Sequence, residues 1–304
     1  MTTATLCPLS RVALLARDIK LSHSVFALPF ALLGTFLAAA YDHQLPRAAT
    51  LGLIVLCMVF ARTWAMAINR WADAGLDAAN PRTARRAIPS GQLSRSFVLA
   101  AAVGCGFALC LAAAGFYYIN QNLWPLICSP LVLVWLGLYS FTKRFTWLCH
   151  LFLGTALALS PLAASLAVNP RYLASPEPYL LAGVVMCWVA GFDVIYALQD
   201  VEIDRQAGLF SMPSRLGVEP ALWVSRLLHM ASVICLLVLL YRSDALGLAF
   251  FVGIVIVIGL LIVEHALVWK SKTHHINMAF LTVNGVISLV LGGLGIIDVI
   301  RSVR

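Results

Sequence analysis

Nine stretches of about twenty mostly apolar residues alternate with short polar connections along this 304-residue chain. They run approximately over residues 20–41, 48–71, 96–116, 121–141, 146–168, 179–201, 219–241, 245–269 and 276–298. A helix needs about 20 apolar residues to cross the hydrocarbon of a bilayer, and lipid permits only helices or closed barrels, because it cannot satisfy open backbone groups. The pattern predicts an all-α fold: a polytopic membrane bundle of nine transmembrane helices. No polar stretch is long enough to fold apart, so residues 1–304 are expected to form a single membrane domain.

Composition agrees with this. The chain is 62% hydrophobic and only 11% charged, against about 25% charged in an average soluble domain. Met1 to Ser10 lack the charged start, apolar core and cleavage site of a signal peptide, so insertion is expected through the first span. The eight cysteines (Cys7, Cys57, Cys105, Cys110, Cys128, Cys149, Cys187 and Cys235) form no C-x-x-C pair, and most lie in apolar runs. They are packing residues rather than a zinc or disulfide framework.

The net charge of +8 is distributed by side. Arg11, Arg17 and Lys20 share a side with Arg82, Arg85, Arg86, Arg95, Lys143, Arg144, Arg205, Arg215, Lys270 and Lys272. The other side has Arg47, Arg171, Arg242, Arg301 and Arg304. The positive-inside rule puts the N-terminus in the cytoplasm and the C-terminus outside, in a bacterial inner membrane. Nothing resembles a nucleic-acid-binding motif, and no obligate protein partner is indicated.

The acids change the picture most. There are thirteen, and six of them stand in two clusters at the ends of the second and sixth spans: Asp73 and Asp77, then Asp193, Asp200, Glu202 and Asp204. Residues i and i+4 share a helix face, so Asn69, Asp73 and Asp77 are expected to form one polar stripe. Asp193, Tyr196, Asp200 and Asp204 are expected to form another, while Glu202 points away by helical phase. Carboxylates in a membrane helix are costly unless used. Two facing stripes of oxygen ligands suit a hard divalent cation, Mg²⁺ above all where phosphate is the partner. No His or Cys accompanies them, which argues against zinc. The competing explanation is that these acids simply pair with nearby arginines. The clusters lie about 120 residues apart, each leading into a basic loop, which suggests an internal duplication. Arg82, Arg85 and Arg86 follow the first cluster, and Lys143 and Arg144 lie on the same side. Cations beside metal-binding carboxylates make a diphosphate site.

These residues resemble the UbiA family of intramembrane prenyltransferases. The family's N-x-x-x-D-x-x-x-D motif stands here as Asn69, Asp73 and Asp77, and its D-x-x-Y-A-x-x-D-x-x-x-D motif as Asp193, Tyr196, Ala197, Asp200 and Asp204. The segments Arg86 to Gly91 and Tyr139 to Arg144 also match. The resemblance implies a helical bundle around a central cavity, with two Mg²⁺ ions held by Asn69, Asp73, Asp77, Asp200 and Asp204. It also implies a polyprenyl diphosphate on Arg82, Arg86, Lys143 and Arg144, with its tail along apolar, lipid-facing helices. Two departures, Ala87 for proline and Arg70 for a second acid, remove no ligand. The first span looks like the 4-hydroxybenzoate polyprenyltransferase-like branch, which includes futalosine-route menaquinone enzymes. Ser22 and His23 could contact an aromatic carboxylate acceptor there, although a histidine at a helix start is as readily structural.

The expected reaction is Mg²⁺-dependent transfer of a polyprenyl group to an aromatic acceptor, 4-hydroxybenzoate, at the cytoplasmic face, in quinone biosynthesis. Asp193 is the expected base, with Tyr196 one turn away. A dihydroxynaphthoate acceptor is the alternative, and a cation-coupled transporter the remote one.

Overall fold

The computed structural model describes residues 8–19, 26–271 and 282–304, and all regular structure among them is helical. The helices are α1 (Pro8–Asp18), α2 (Leu28–Ala40), α3 (Ala48–Ala79), α4 (Arg95–Asn120), α5 (Trp124–Thr142) and α6 (Cys149–Val168). They continue with α7 (Glu177–Ala197), α8 (Val201–Gln206), α9 (Met212–Leu216), α10 (Val218–Arg242), α11 (Leu248–Ser271) and α12 (Asn284–Val303). Among the described residues, eight helical segments are long and apolar enough to cross a membrane, and the shorter α2 makes a ninth apolar helix. The chain is an integral membrane protein.

Besides the nine and the short α8 and α9, one more helix is present. α1 precedes the first apolar stretch and is amphipathic: Leu15 is buried, while Leu9, Val12 and Arg17 are exposed. Just past its end, Ile19 is also buried.

Length decides where the first motif lies. At about 1.5 Å per residue, the 32 residues of α3 extend roughly 48 Å, well beyond the ~30 Å hydrocarbon. The final turns, carrying Asp73 and Asp77, therefore leave the apolar layer still helical. Asn80 then stops the helix, with its Oδ1 accepting the Arg82 N–H at 2.9 Å.

Apolar burial gives little drive for association between helices already in lipid, so close packing through small residues takes over. α6 lies against both α2 and α7, and α12 packs on α2. At Gly34 an added Cβ would come within 2.8 Å of the Pro161 carbonyl oxygen, and at Gly154 within 2.4 Å of the Met186 carbonyl oxygen. Aromatic rings fill the wider gap between α2 and α7, with Trp188 5.4 Å from Phe30 and 5.1 Å from Phe192. Trp188 Nε1–H donates to Asn284 Oδ1 at 2.8 Å, and Asn284 Nδ2 donates to Glu264 at 2.7 Å, which ties α7, α12 and α11 together.

Candidate active site

Two chambers meet inside the bundle. The first is apolar and lined from α2 to α7 by residues such as Ala31, Ile54, Met58, Leu109, Val132, Leu157 and Phe192. The second, about 620 Å³, lies at the ends of α3, α5, α6 and α7 and takes in the loop after α3. Met66, Tyr139 and Leu153 line both, so they mark the junction.

The polar chamber assembles both acidic motifs. Asn69, Asp73, Asp77, Asp193, Tyr196, Asp200 and Asp204 line it, with Arg82, Arg86 and Lys143. The expected stripe on α3 is present, with Asn69 Nδ2 donating to Asp73 Oδ2 at 3.0 Å. The second stripe needs correction. Asp193 and Tyr196 lie on α7, but the chain tightens into a 3-10 turn over Leu198–Asp200 before α8 begins at Val201. A 3-10 turn advances fewer residues per turn than an α-helix, so no single α-helical stripe carries all four residues. Asp200 and Asp204 still face the chamber and are 8% and 1% exposed. Glu202 points out and pairs with Arg205 at 3.1 Å, as its phase predicts.

Each motif carboxylate from Asp73 to Asp204, Asp193 apart, holds a cation. Arg144 reaches Asp73 at 3.1 Å, Arg86 reaches Asp77 at 2.7 Å, Arg82 reaches Asp200 at 2.5 Å and Lys143 reaches Asp204 at 2.7 Å. The simple ion pairs considered from sequence are thus present, and they use the same four cations assigned to a diphosphate. Arg82 also donates to the Tyr196 hydroxyl at 3.1 Å, so Tyr196 is engaged by the loop rather than by Asp193. Burial opposes the Lys143 charge, but Asp204 outweighs it and the Lys143 pKa lies above its ordinary value. Lys143 therefore remains a cation through neutral pH.

Several participants escaped the sequence reading. Asn80 Nδ2 donates to Asp200 Oδ1 at 3.1 Å, bringing the end of α3 to the second motif across 120 positions. Arg70 donates to Asn69 Oδ1 at 2.9 Å and pairs with Asp18 at 3.3 Å, while Asp18 accepts the Ala87 N–H at 2.9 Å. His150 sits 2.7 Å from Asp193. Asn80 and Arg70 stood beside motif residues, and that adjacency was the available signal. His150 had none. Ser22 and His23 lie outside the described residues.

The donor set fits Mg²⁺ in chemistry. The motif ligands are all oxygen, and Asp204 Oδ2 is buried without a hydrogen-bond partner among the described residues. Among the described residues, no three His, Cys, Asp or Glu side chains stand ready as a closed metal shell, so the acids must exchange cation partners for a metal. Charge balance points the same way. Asp18, Asp73, Asp77, Asp193, Asp200 and Asp204 face Arg17, Arg70, Arg82, Arg85, Arg86 and Lys143, a formally neutral wall. A neutral wall attracts a diphosphate weakly, and added divalent cations supply the missing positive charge.

The UbiA prenyltransferase family model matches residues 27–286. A 4-hydroxybenzoate octaprenyltransferase of Aliivibrio fischeri (strain MJ11) is 30% identical over 272 residues, covering 88% of each chain. The apo structure of a UbiA homolog from Aeropyrum pernix K1 superposes with TM-score 0.81 at 30% identity, covering 91% of this chain and 98% of that one. A UbiA homolog from Archaeoglobus fulgidus bound to GPP and Mg²⁺ shares the fold, with TM-score 0.69 at 18% identity over 94% and 99% of the two chains. The paired motifs, the two joined chambers and these matches together place the chain in the UbiA prenyltransferase family.

Proposed function

We propose that this protein transfers an isoprenyl group from its diphosphate to a hydroxylated aromatic carboxylate, 4-hydroxybenzoate, in a Mg²⁺-dependent reaction. The observation that carries this is the junction at Met66, Tyr139 and Leu153, the residues shared by a charged chamber and the apolar one beside it. A prenyl diphosphate has the same division: a charged head, a greasy tail and a reactive carbon between them. The A. fischeri relative's name and the Mg²⁺ and GPP bound by the A. fulgidus homolog support the same reading. The asymmetry of basic loops supports a cytoplasmic opening of the charged chamber in a bacterial inner membrane.

Asn69, Asp73, Asp77, Asp200 and Asp204 would hold the Mg²⁺, two ions as the family resemblance implies. Bound there, Mg²⁺ supplies positive charge to the departing diphosphate. Arg82, Arg86, Lys143 and Arg144, released from their carboxylates, bind the diphosphate oxygens, where negative charge grows as the C–O bond breaks. Tyr139 and Met66 hold the allylic carbon at the mouth of the dry apolar chamber, which keeps water from the developing cation. Asp193 takes the phenolic proton. The ring's ortho carbon forms the new C–C bond, and the C–O electron pair leaves on the diphosphate. Loss of the ring proton to the diphosphate and return of the phenolic proton from Asp193 restore the aromatic ring.

Purified protein given geranyl diphosphate and 4-hydroxybenzoate should form a prenylated product with Mg²⁺ and none with EDTA. Product only from a dihydroxynaphthoate would reassign the acceptor. No product from any aromatic acceptor, with protein that melts cooperatively, would overturn the reading.

Arg62 gives a second expected result. It lies in the otherwise uncharged wall of the apolar chamber, one turn from the junction residue Met66. A guanidinium there suits the acceptor's carboxylate. A hydrogen bond to a charged group contributes about 1.5–3 kcal/mol, so Arg62→Gln should raise the acceptor KM by roughly 10- to 100-fold and leave the donor KM unchanged. The neutral methyl ester of 4-hydroxybenzoate should lose nothing. An equal loss for acid and ester would exclude this role.

A further inference from the structure

His150 begins α6, is 3% exposed, and lines the charged chamber with Asp193. Its two ring nitrogens have different work. Nε2 accepts the backbone N–H of Met212 at 3.2 Å, and Nδ1 lies 2.7 Å from Asp193 Oδ2. A nitrogen that accepts an N–H has its lone pair in use and carries no proton. The ring proton is therefore on Nδ1, and the imidazole donates to the carboxylate. The Met212 N–H occupies the lone pair of Nε2, the one ring nitrogen that could have ligated a metal.

The surroundings hold this arrangement from three directions. Phe210 N–H donates to the Lys143 carbonyl at 2.8 Å and Cys149 Sγ donates to the Phe210 carbonyl at 3.3 Å, which fixes the segment carrying Met212 against the start of α6. One turn beyond His150, Gly154 lets α6 approach the Met186 backbone of α7 at a distance no side chain would allow. That close approach brings His150 within reach of Asp193 on the next helix. With Oδ2 taken, Asp193 Oδ1 has no hydrogen-bond partner among the described residues, and the side chain is 23% exposed to the chamber.

We propose that His150 is a positioning residue of the transfer reaction: its Nδ1–H fixes the Asp193 carboxylate so that Oδ1 faces the hydroxyl of the aromatic acceptor. This rests on the prenyl-transfer reading above. It reverses the division of labour in a hydrolase triad, where a carboxylate orients a histidine base. Here a histidine locked in one tautomer orients a carboxylate base.

Two substitutions of similar size separate positioning from packing. In His150→Asn the amide nitrogen falls near the Nδ1 position, and in His150→Gln it falls near Nε2. His150→Gln should lower kcat by about 10- to 100-fold, the range for a partner that orients a working ligand or base. His150→Asn should stay within about threefold of the parent protein. The KM for geranyl diphosphate and the Mg²⁺ half-saturation should be unchanged in both. With 3-fluoro-4-hydroxybenzoate, whose phenol ionises more readily, the Gln penalty should shrink, because less is asked of the base. Equal kcat for the Asn and Gln variants, or the same Gln penalty with both acceptors, would overturn the proposal. No product from the unsubstituted protein would overturn the transfer reading, and with it this inference.

Discussion

Asp200→Asn is expected to lower kcat by about 10³-fold, the scale of removing a group that stabilises charge in the transition state. Asp200 has two separable jobs. In the structure it anchors the loop after α3, taking Asn80 Nδ2 at 3.1 Å and Arg82 at 2.5 Å. In the proposed reaction it also carries a negative charge toward Mg²⁺. The amide keeps much of the shape and loses the charge. Asn80→Ala removes part of the anchor and leaves the carboxylate, so it should cost no more than about 10- to 100-fold, the worth of one hydrogen bond to a charged group. The Mg²⁺ half-saturation concentration should rise in Asp200→Asn and stay put in Asn80→Ala. If both variants lose the same factor, and neither changes the Mg²⁺ dependence, Asp200 serves only as the loop's anchor.

Gly154→Leu has the second large effect, and it acts through packing. Even a methyl group at Gly154 would lie 2.4 Å from the Met186 carbonyl oxygen and 3.3 Å from Ala190 Cβ. Backbone cannot swing aside as a side-chain tip can, so α6 and α7 must separate. Overpacking of this kind costs about 1–3 kcal/mol and sometimes more. Gly154→Ala should already lower the melting temperature in detergent, and Gly154→Leu further. Because His150 and Asp193 face each other across the same helix pair at 2.7 Å, kcat should fall as well. Gly104 on α4 is the control, since nothing lies within 4 Å of its added Cβ. Gly104→Ala should be neutral or stabilising by about 0.5–1 kcal/mol, from helix propensity alone. Equal melting temperatures for Gly154→Ala and Gly104→Ala would show that the α6–α7 contact is not tight.

The first motif was legible because it obeys one local rule. Asn69, Asp73 and Asp77 lie four residues apart on an unbroken α-helix, and helical phase alone puts them on one face. The second motif follows the same spacing but not the same backbone. The 3-10 turn at Leu198–Asp200 re-aims the last two aspartates, and no residue in that stretch announces the change. Arg82, Arg86, Lys143 and Arg144 could be assigned to the site by their side of the membrane. Their present partners depend on how the loop after α3 folds back toward α7.

His150 shows where sequence reasoning stops. A lone histidine in an apolar run has no spacing partner, and Asp193 is 43 positions away. Arg62 is similar: its meaning comes from the chamber wall around it. The sequence by itself determined an all-helical membrane bundle and two acidic motifs. Hydrophobic length and helical periodicity are local properties, each carried by a few turns of chain. Only the tertiary structure decided that the motifs share one chamber and that this chamber adjoins an apolar one. It also set the His150 ring against Asp193. Those features depend on which helices approach closely, and that is set by side-chain volume at contacts such as Gly154 with Met186, between segments far apart in the chain.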